Sequence, residues 1–164
     1  MAKKTQAKKV RAVKSRAVHV DVYAYLEDDD ILFAQAWKLD GERERKKGQI
    51  KIGKGQGDVP INFLLHDRTG KNLAFLDVDP GEEEGPFWCS RTSCPSRWGS
   101  GGGQITSIEK LSNTELKVID ANKGDARTLH YALRFTGTQV GSGPPYEFDP
   151  DIRNGGGGVS SGSG

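Results

Sequence analysis

Several things are scarce in this chain, and each scarcity narrows its class. Two cysteines in 164 residues cannot build a disulfide framework. No stretch approaches the ~18 consecutive apolar residues of a membrane-spanning helix. There is no Asn-x-Ser/Thr acceptor, so nothing points to secretion. The first 17 residues contain no acid and no aromatic. A basic start can imitate a signal peptide, but His19 and Asp21 spoil the apolar run that follows, and no small-residue cleavage site comes after it. A cytoplasmic protein is the expectation.

What is present is unevenly charged. The formal net charge is +2. Lys3, Lys4, Lys8, Lys9, Arg11, Lys14 and Arg16 all fall in residues 1–17, which leaves 17 bases against 22 acids elsewhere. A basic arm is joined to a mildly acidic body. A wholly basic nucleic-acid-binding domain is excluded, since its charge would lie in the body. At 34% hydrophobic residues, the chain is too apolar to be wholly disordered and too polar for a membrane protein.

Three parts are expected: a basic disordered arm over 1–17, one folded domain over 18–154, and a flexible Gly/Ser-rich tail over 155–164. Within the domain the hydrophobic period is two. Val18, Val20, Val22, Ala24 and Leu26 alternate with polar or aromatic neighbours, as a half-buried strand requires. Ile31, Phe33 and Trp37 continue after the break at Asp28–Asp30. Ile50 and Ile52 form a short strand. Val59, Ile61, Phe63 and Leu65 share a face, with Pro60 suggesting an edge position. The turn at 67–72 predicts that 73–78 returns as the second arm of a hairpin. Further strands fall at 104–111, 115–120, 127–136 and 145–149. Eight or nine short strands and no helix predict an all-β fold. The expected type is a single antiparallel sandwich, immunoglobulin-like or jelly-roll-like. The closing stretch 146–154 resembles the last strand of small bacterial β-sandwich proteins, a resemblance that implies no activity.

The long interval 79–103 is read as the most informative surface, because long loops in compact domains are usually functional or disordered. It holds an acidic half, then three aromatics, two arginines and both cysteines within 87–98. Trp and Arg bring large contact area and planar hydrogen bonding. Phe87, Trp88, Arg91, Arg97 and Trp98 are therefore the expected contact residues for a protein or glycan partner. The bland alternative is that the tryptophans cap the end of the sandwich. Cys89 and Cys94 read as free thiols, a local disulfide or, with two histidines, a zinc pair.

The remaining signals are weaker. His19, His66 and His130 lack ligand spacing. Acidic pairs at strand ends suit turn capping better than calcium. The glycine-rich stretch 53–57 lacks the ending of a phosphate loop. The Gly-x-Ser-x-Gly spacing at 158–162 lies in the tail, not between a strand and a helix. No cofactor and no catalytic group is expected. The leading expectation is a non-enzymatic binding module. The alternative is an accessory nucleic-acid binder, whose arm residues Lys3, Lys4, Lys8, Lys9, Arg11, Lys14 and Arg16 neutralise phosphates without reading sequence.

Overall fold

The structure, a computed structural model, describes residues 16–45, 49–54, 56–79, 84–92, 95, 99, 101–137 and 145–154. Among them are eleven strands and no helix. In chain order these are β1 (Val18–Glu27), β2 (Asp30–Leu39), β3 (Ile50–Ile52), β4 (Val59–Asp67), β5 (Ala74–Phe75) and β6 (Phe87–Ser90). They continue with β7 (Ile105–Lys110), β8 (Glu115–Asp120), β9 (Arg127–Thr136), β10 (Tyr146–Phe148) and β11 (Asp151–Asn154).

β1 and β2 form a hairpin closed by two residues, with Glu27 opposite Asp30. Asp28 and Asp29 both take the left-handed conformation, with φ of 48° and 65°. That combination matches the turn whose twist suits a hairpin, and aspartate tolerates it better than most residues.

One sheet runs in the order β2-β1-β4-β8-β7. The other is built on β9. β11 and β10 pair with successive parts of β9, as do β6 and β5, and β3 joins β11. The strands are mixed in direction, which corrects the expectation of an antiparallel fold. β4 lies parallel to β1, and β11 lies parallel to β3. The reason is the path of the chain. After β2 it crosses to the other sheet as β3, then returns to the free side of β1 running the same way.

Two further expectations fail for the same reason. Pro60 is not on an edge, because β4 is the central strand of its sheet. The proline is tolerated because the β1 ladder begins one residue later, at Ile61. The stretch after the 67–72 turn does not fold back on β4. Instead β5 pairs with β9 in the opposite sheet. Asp67 organises that departure. It accepts hydrogen bonds from the Thr69 amide at 2.8 Å, the Thr69 hydroxyl at 2.6 Å and the Leu73 amide at 2.8 Å. Burial alone would raise the Asp67 carboxyl, but these bonds outweigh it and hold the group below the usual carboxylate value.

Alternation produces the core as expected. Val18, Val20, Val22 and Ala24 of β1 and Val59, Ile61, Phe63 and Leu65 of β4 face inward. They share one hydrophobic cluster with Leu129, Tyr131, Leu133 and Phe135 of β9. The Phe63 ring meets Phe87 and Tyr131 at centroid distances of 6.1 and 5.7 Å, which joins the two sheets. The Tyr131 hydroxyl is satisfied by donating to Gln35 Oε1 at 3.0 Å.

Candidate functional site

The segment 84–90 of the 79–103 interval is not a displayed loop. It contains β6, which lies along β9 with Phe87 opposite Leu133 and Cys89 opposite Tyr131. Phe87 is fully buried and its ring stacks on Tyr131 at 5.4 Å. Trp88 points to the other side of β6, yet it too is buried, beneath Arg134. The Arg134 guanidinium sits 3.8 Å from the Trp88 ring centroid. It donates to the Gly85 carbonyl at 3.2 Å, to Glu84 at 3.4 Å and to Glu147 at 3.3 Å. Phe87 and Trp88 thus spend their apolar area inside the fold, so as contact residues they are corrected. Arg91 is exposed and lies against Gly102. Arg97 and Trp98 fall outside the described residues. So do Lys3, Lys4, Lys8, Lys9, Arg11 and Lys14. Arg16 is exposed and pairs with Glu42 at 3.3 Å, while the neighbouring Ala17 amide donates to Asp40 at 2.9 Å.

Cys89 is a free, buried thiol. Burial first, and the nearby Asp120 carboxylate second, push it up to about 12. It therefore supplies no thiolate at neutral pH. Cys94 falls outside the described residues. The chain returns beneath Cys89 through Gly101–Gly103, whose φ values of 64°, 72° and 81° only glycine adopts easily. A Cβ on Gly101 would come within 2.8 Å of Cys89 Sγ. The same end of the fold holds a buried polar knot. Asp120 accepts from the Asn122 amide at 2.8 Å, and Asn122 Nδ2 donates to the Gly53 carbonyl at 2.9 Å. The knot braces backbone. Among the described residues, no group of three His, Cys, Asp or Glu side chains could hold a metal ion. No helix among them is long and apolar enough to cross a membrane.

The outer face of the five-stranded sheet offers a different surface. Register places Asp21, Leu64 and Glu115 in one row across β1, β4 and β8. Lys38, His19, Asn62 and Lys117 form the next row. Tyr23 and His66 form a third, and their rings stack at 4.8 Å. Between the first two rows lies an open hollow of about 420 Å³. Leu64, 38% exposed, and Leu111, 52% exposed, both line it. Leu111 is held there by the β7–β8 turn, where its amide donates to the Glu115 carbonyl at 2.9 Å. The turn is docked in both directions, since the Leu65 and Phe75 amides donate to the Thr114 and Asn113 carbonyls.

Polar groups on this face are pre-positioned. His66 Nε2 donates to Asp21 at 2.7 Å, and His19 Nε2 donates to Asp40 at 2.7 Å. The Arg68 guanidinium lies 5.1 Å from the Tyr23 ring centroid. The clue to this surface was Leu64, an apolar residue at an outward position of an otherwise regular alternation.

No protein-family model matches the chain, and no curated protein is significantly similar to it.

Proposed function

We propose that this chain is a non-enzymatic interaction module that binds a protein partner on the outer face of its five-stranded sheet. One observation carries the reading. Two solvent-facing leucines, Leu64 and Leu111, line one hollow, and side chains of both charge signs rim it. An apolar centre inside a polar rim is the anatomy of protein interfaces. Covering a leucine is worth about 1.5–3 kcal/mol when it was fully exposed, and roughly half of that for side chains already half-covered. The register gives the partner's chemistry. Leu64 stands between Asp21 and Glu115, with Lys38 in the adjoining row. A complementary segment presents an apolar side chain with a basic neighbour toward Glu115 and an acidic one toward Lys38.

The scaffold belongs to the same proposal. The two sheets are read as the layers of one β-sandwich, supported by their shared cluster and by the Phe63–Phe87 and Phe63–Tyr131 contacts. A cytoplasmic setting is read from the free Cys89 thiol, which suits a reducing compartment.

The test is affinity capture with immobilised full-length chain, comparing the wild type, Leu64→Lys/Leu111→Lys and Arg91→Ala. All three are first matched for thermal unfolding. The leucine variant should lose the captured protein while Arg91→Ala keeps it. The reverse pattern would return the contact to the 79–103 interval.

A further inference from the structure

We infer that the basic segment 8–14 docks in cis on the hollow of Leu64 and Leu111, with Val10 on the two leucines and Arg11 on Glu115. This rests on the reading of that hollow as a docking surface, and it names what occupies the hollow in the isolated chain. The first support is where the segment joins the fold. The β1–β2 ladder continues one residue before Val18. The Asp40 amide donates to the Ala17 carbonyl at 3.0 Å, and the Ala17 amide donates to the Asp40 carboxylate at 2.9 Å. By alternation Ala17 lies on the same side as His19 and Asp21, which rim the hollow. The segment therefore joins the fold beside the rim. Leu64 stands next to Asp21, which puts it about 14 Å from Ala17 along and across the strands. Seven extended residues span about 23 Å, so Val10 reaches Leu64 with length left for a turn.

The second support is charge. Residues 1–15 hold Lys3, Lys4, Lys8, Lys9, Arg11 and Lys14 and no acid. The face beside them carries Asp21 and Glu115 on either side of Leu64, with Asp40 and Glu42 where the chain leaves β1. Arg16, the last of the seven bases, already pairs with Glu42 at 3.3 Å. Glu115 has no cationic partner among the described residues. A short tether to the rim keeps the effective concentration of the segment high there, which favours this chain's own arm over a free cationic peptide. The third support is pattern. Val10 stands between Lys9 and Arg11, so an apolar side chain has a base on each side. Leu64 between two carboxylates is its complement. The segment has no acid for Lys38, which also lines the hollow. It meets half of the charge pattern expected of a partner, and so covers the hollow without being its full complement.

A photo-crosslinking amino acid in place of Val10, in the full chain irradiated without any partner, tests this. Peptide mass spectrometry should place the adducts at 62–64 and 111–116, in material of the single-chain mass of 17.8 kDa. Arg11→Glu turns an attraction into a repulsion and should lower that yield about five-fold. Arg11→Glu/Glu115→Arg restores the opposite charges and should restore the yield. Glu115 is exposed, so its replacement spares the core. Adducts elsewhere on the chain, adducts only at twice the chain mass, a yield unmoved by Arg11→Glu, or a double variant that does not recover would each overturn the inference. Leu64 and Leu111 are intact in all of these chains, so the result is separate from partner capture. Absent adducts with leucine-dependent capture sink the cis contact alone. Adducts as expected with leucine-independent capture sink the partner reading alone.

Discussion

Replacing Arg134 with alanine should cost the fold about 3 kcal/mol. The residue is 3% exposed and its guanidinium is engaged on every side. Stacking on Trp88 at 3.8 Å, out of water, is the largest contribution, roughly 2 kcal/mol. The bond to the Gly85 carbonyl at 3.2 Å adds about 1 kcal/mol. The two carboxylate contacts add little, well under ~1 kcal/mol each, because they are long and Glu84 is 75% exposed. That exposure also limits the loss. Glu84 and Glu147 regain water when the arginine goes, so no charge is stranded in the core, and the cost stays at the low end for a broken buried pair. Arg134→Lys keeps the charge but loses the planar stack and the fork of donors, and should cost about half as much. Glu84→Gln should shift stability by less than about 0.5 kcal/mol. Urea unfolding followed by tryptophan fluorescence reads all three as midpoint shifts at constant slope. An Arg134→Ala midpoint within about 0.5 kcal/mol of the wild type would refute the clamp, and with it the burial of Trp88.

Other outcomes follow from single groups. Asp28→Asn/Asp29→Gly supplies the residues that the left-handed hairpin turn favours and should raise stability by about 0.5–1 kcal/mol in the same urea assay. The folded Asp67 carboxyl titrates below its ordinary value, so its contribution is complete above about pH 4 and is lost as pH falls through the folded value. Asp67→Ala should therefore lose about 1–3 kcal/mol at neutral pH and show a shallower acid transition by circular dichroism. Cys89, pushed up to about 12, should resist a maleimide at pH 8 in native protein and react on unfolding in urea, read by mass spectrometry after digestion.

The β1, β4 and β8 strands were legible because each buries one face, and a half-buried strand must alternate; β9 kept its apolar alternation at Leu129, Tyr131, Leu133 and Phe135 although Ala132 and Arg134 on its other face are buried too. β6 was not. Phe87, Trp88 and Cys89 are all buried, two against the core and one beneath Arg134, so alternation disappears and the stretch reads as an aromatic loop. What covers Trp88 comes from β9, 46 residues further along, which no local pattern announces. The parallel pairing of β4 with β1 was hidden for a related reason. Turn residues such as Asp67 and Thr69 mark where a strand ends, but they do not say which sheet the chain enters next. Pro60 misled in the same way, since a proline at a strand's first residues fits wherever the neighbouring ladder starts late. The outer face was partly legible. Leu64 broke the polar side of its strand, whereas Leu111 gained meaning only when the β7–β8 turn brought it to the same hollow.

The sheet face as contact surface is tested most directly by where the partner touches the chain. A photo-crosslinking amino acid placed at Leu64 in one sample and at Arg91 in another reads this by mass spectrometry of the adducts. Crosslinking from position 64 with none from position 91 is the predicted result. Crosslinking from position 91 alone would contradict the sheet face as the contact surface.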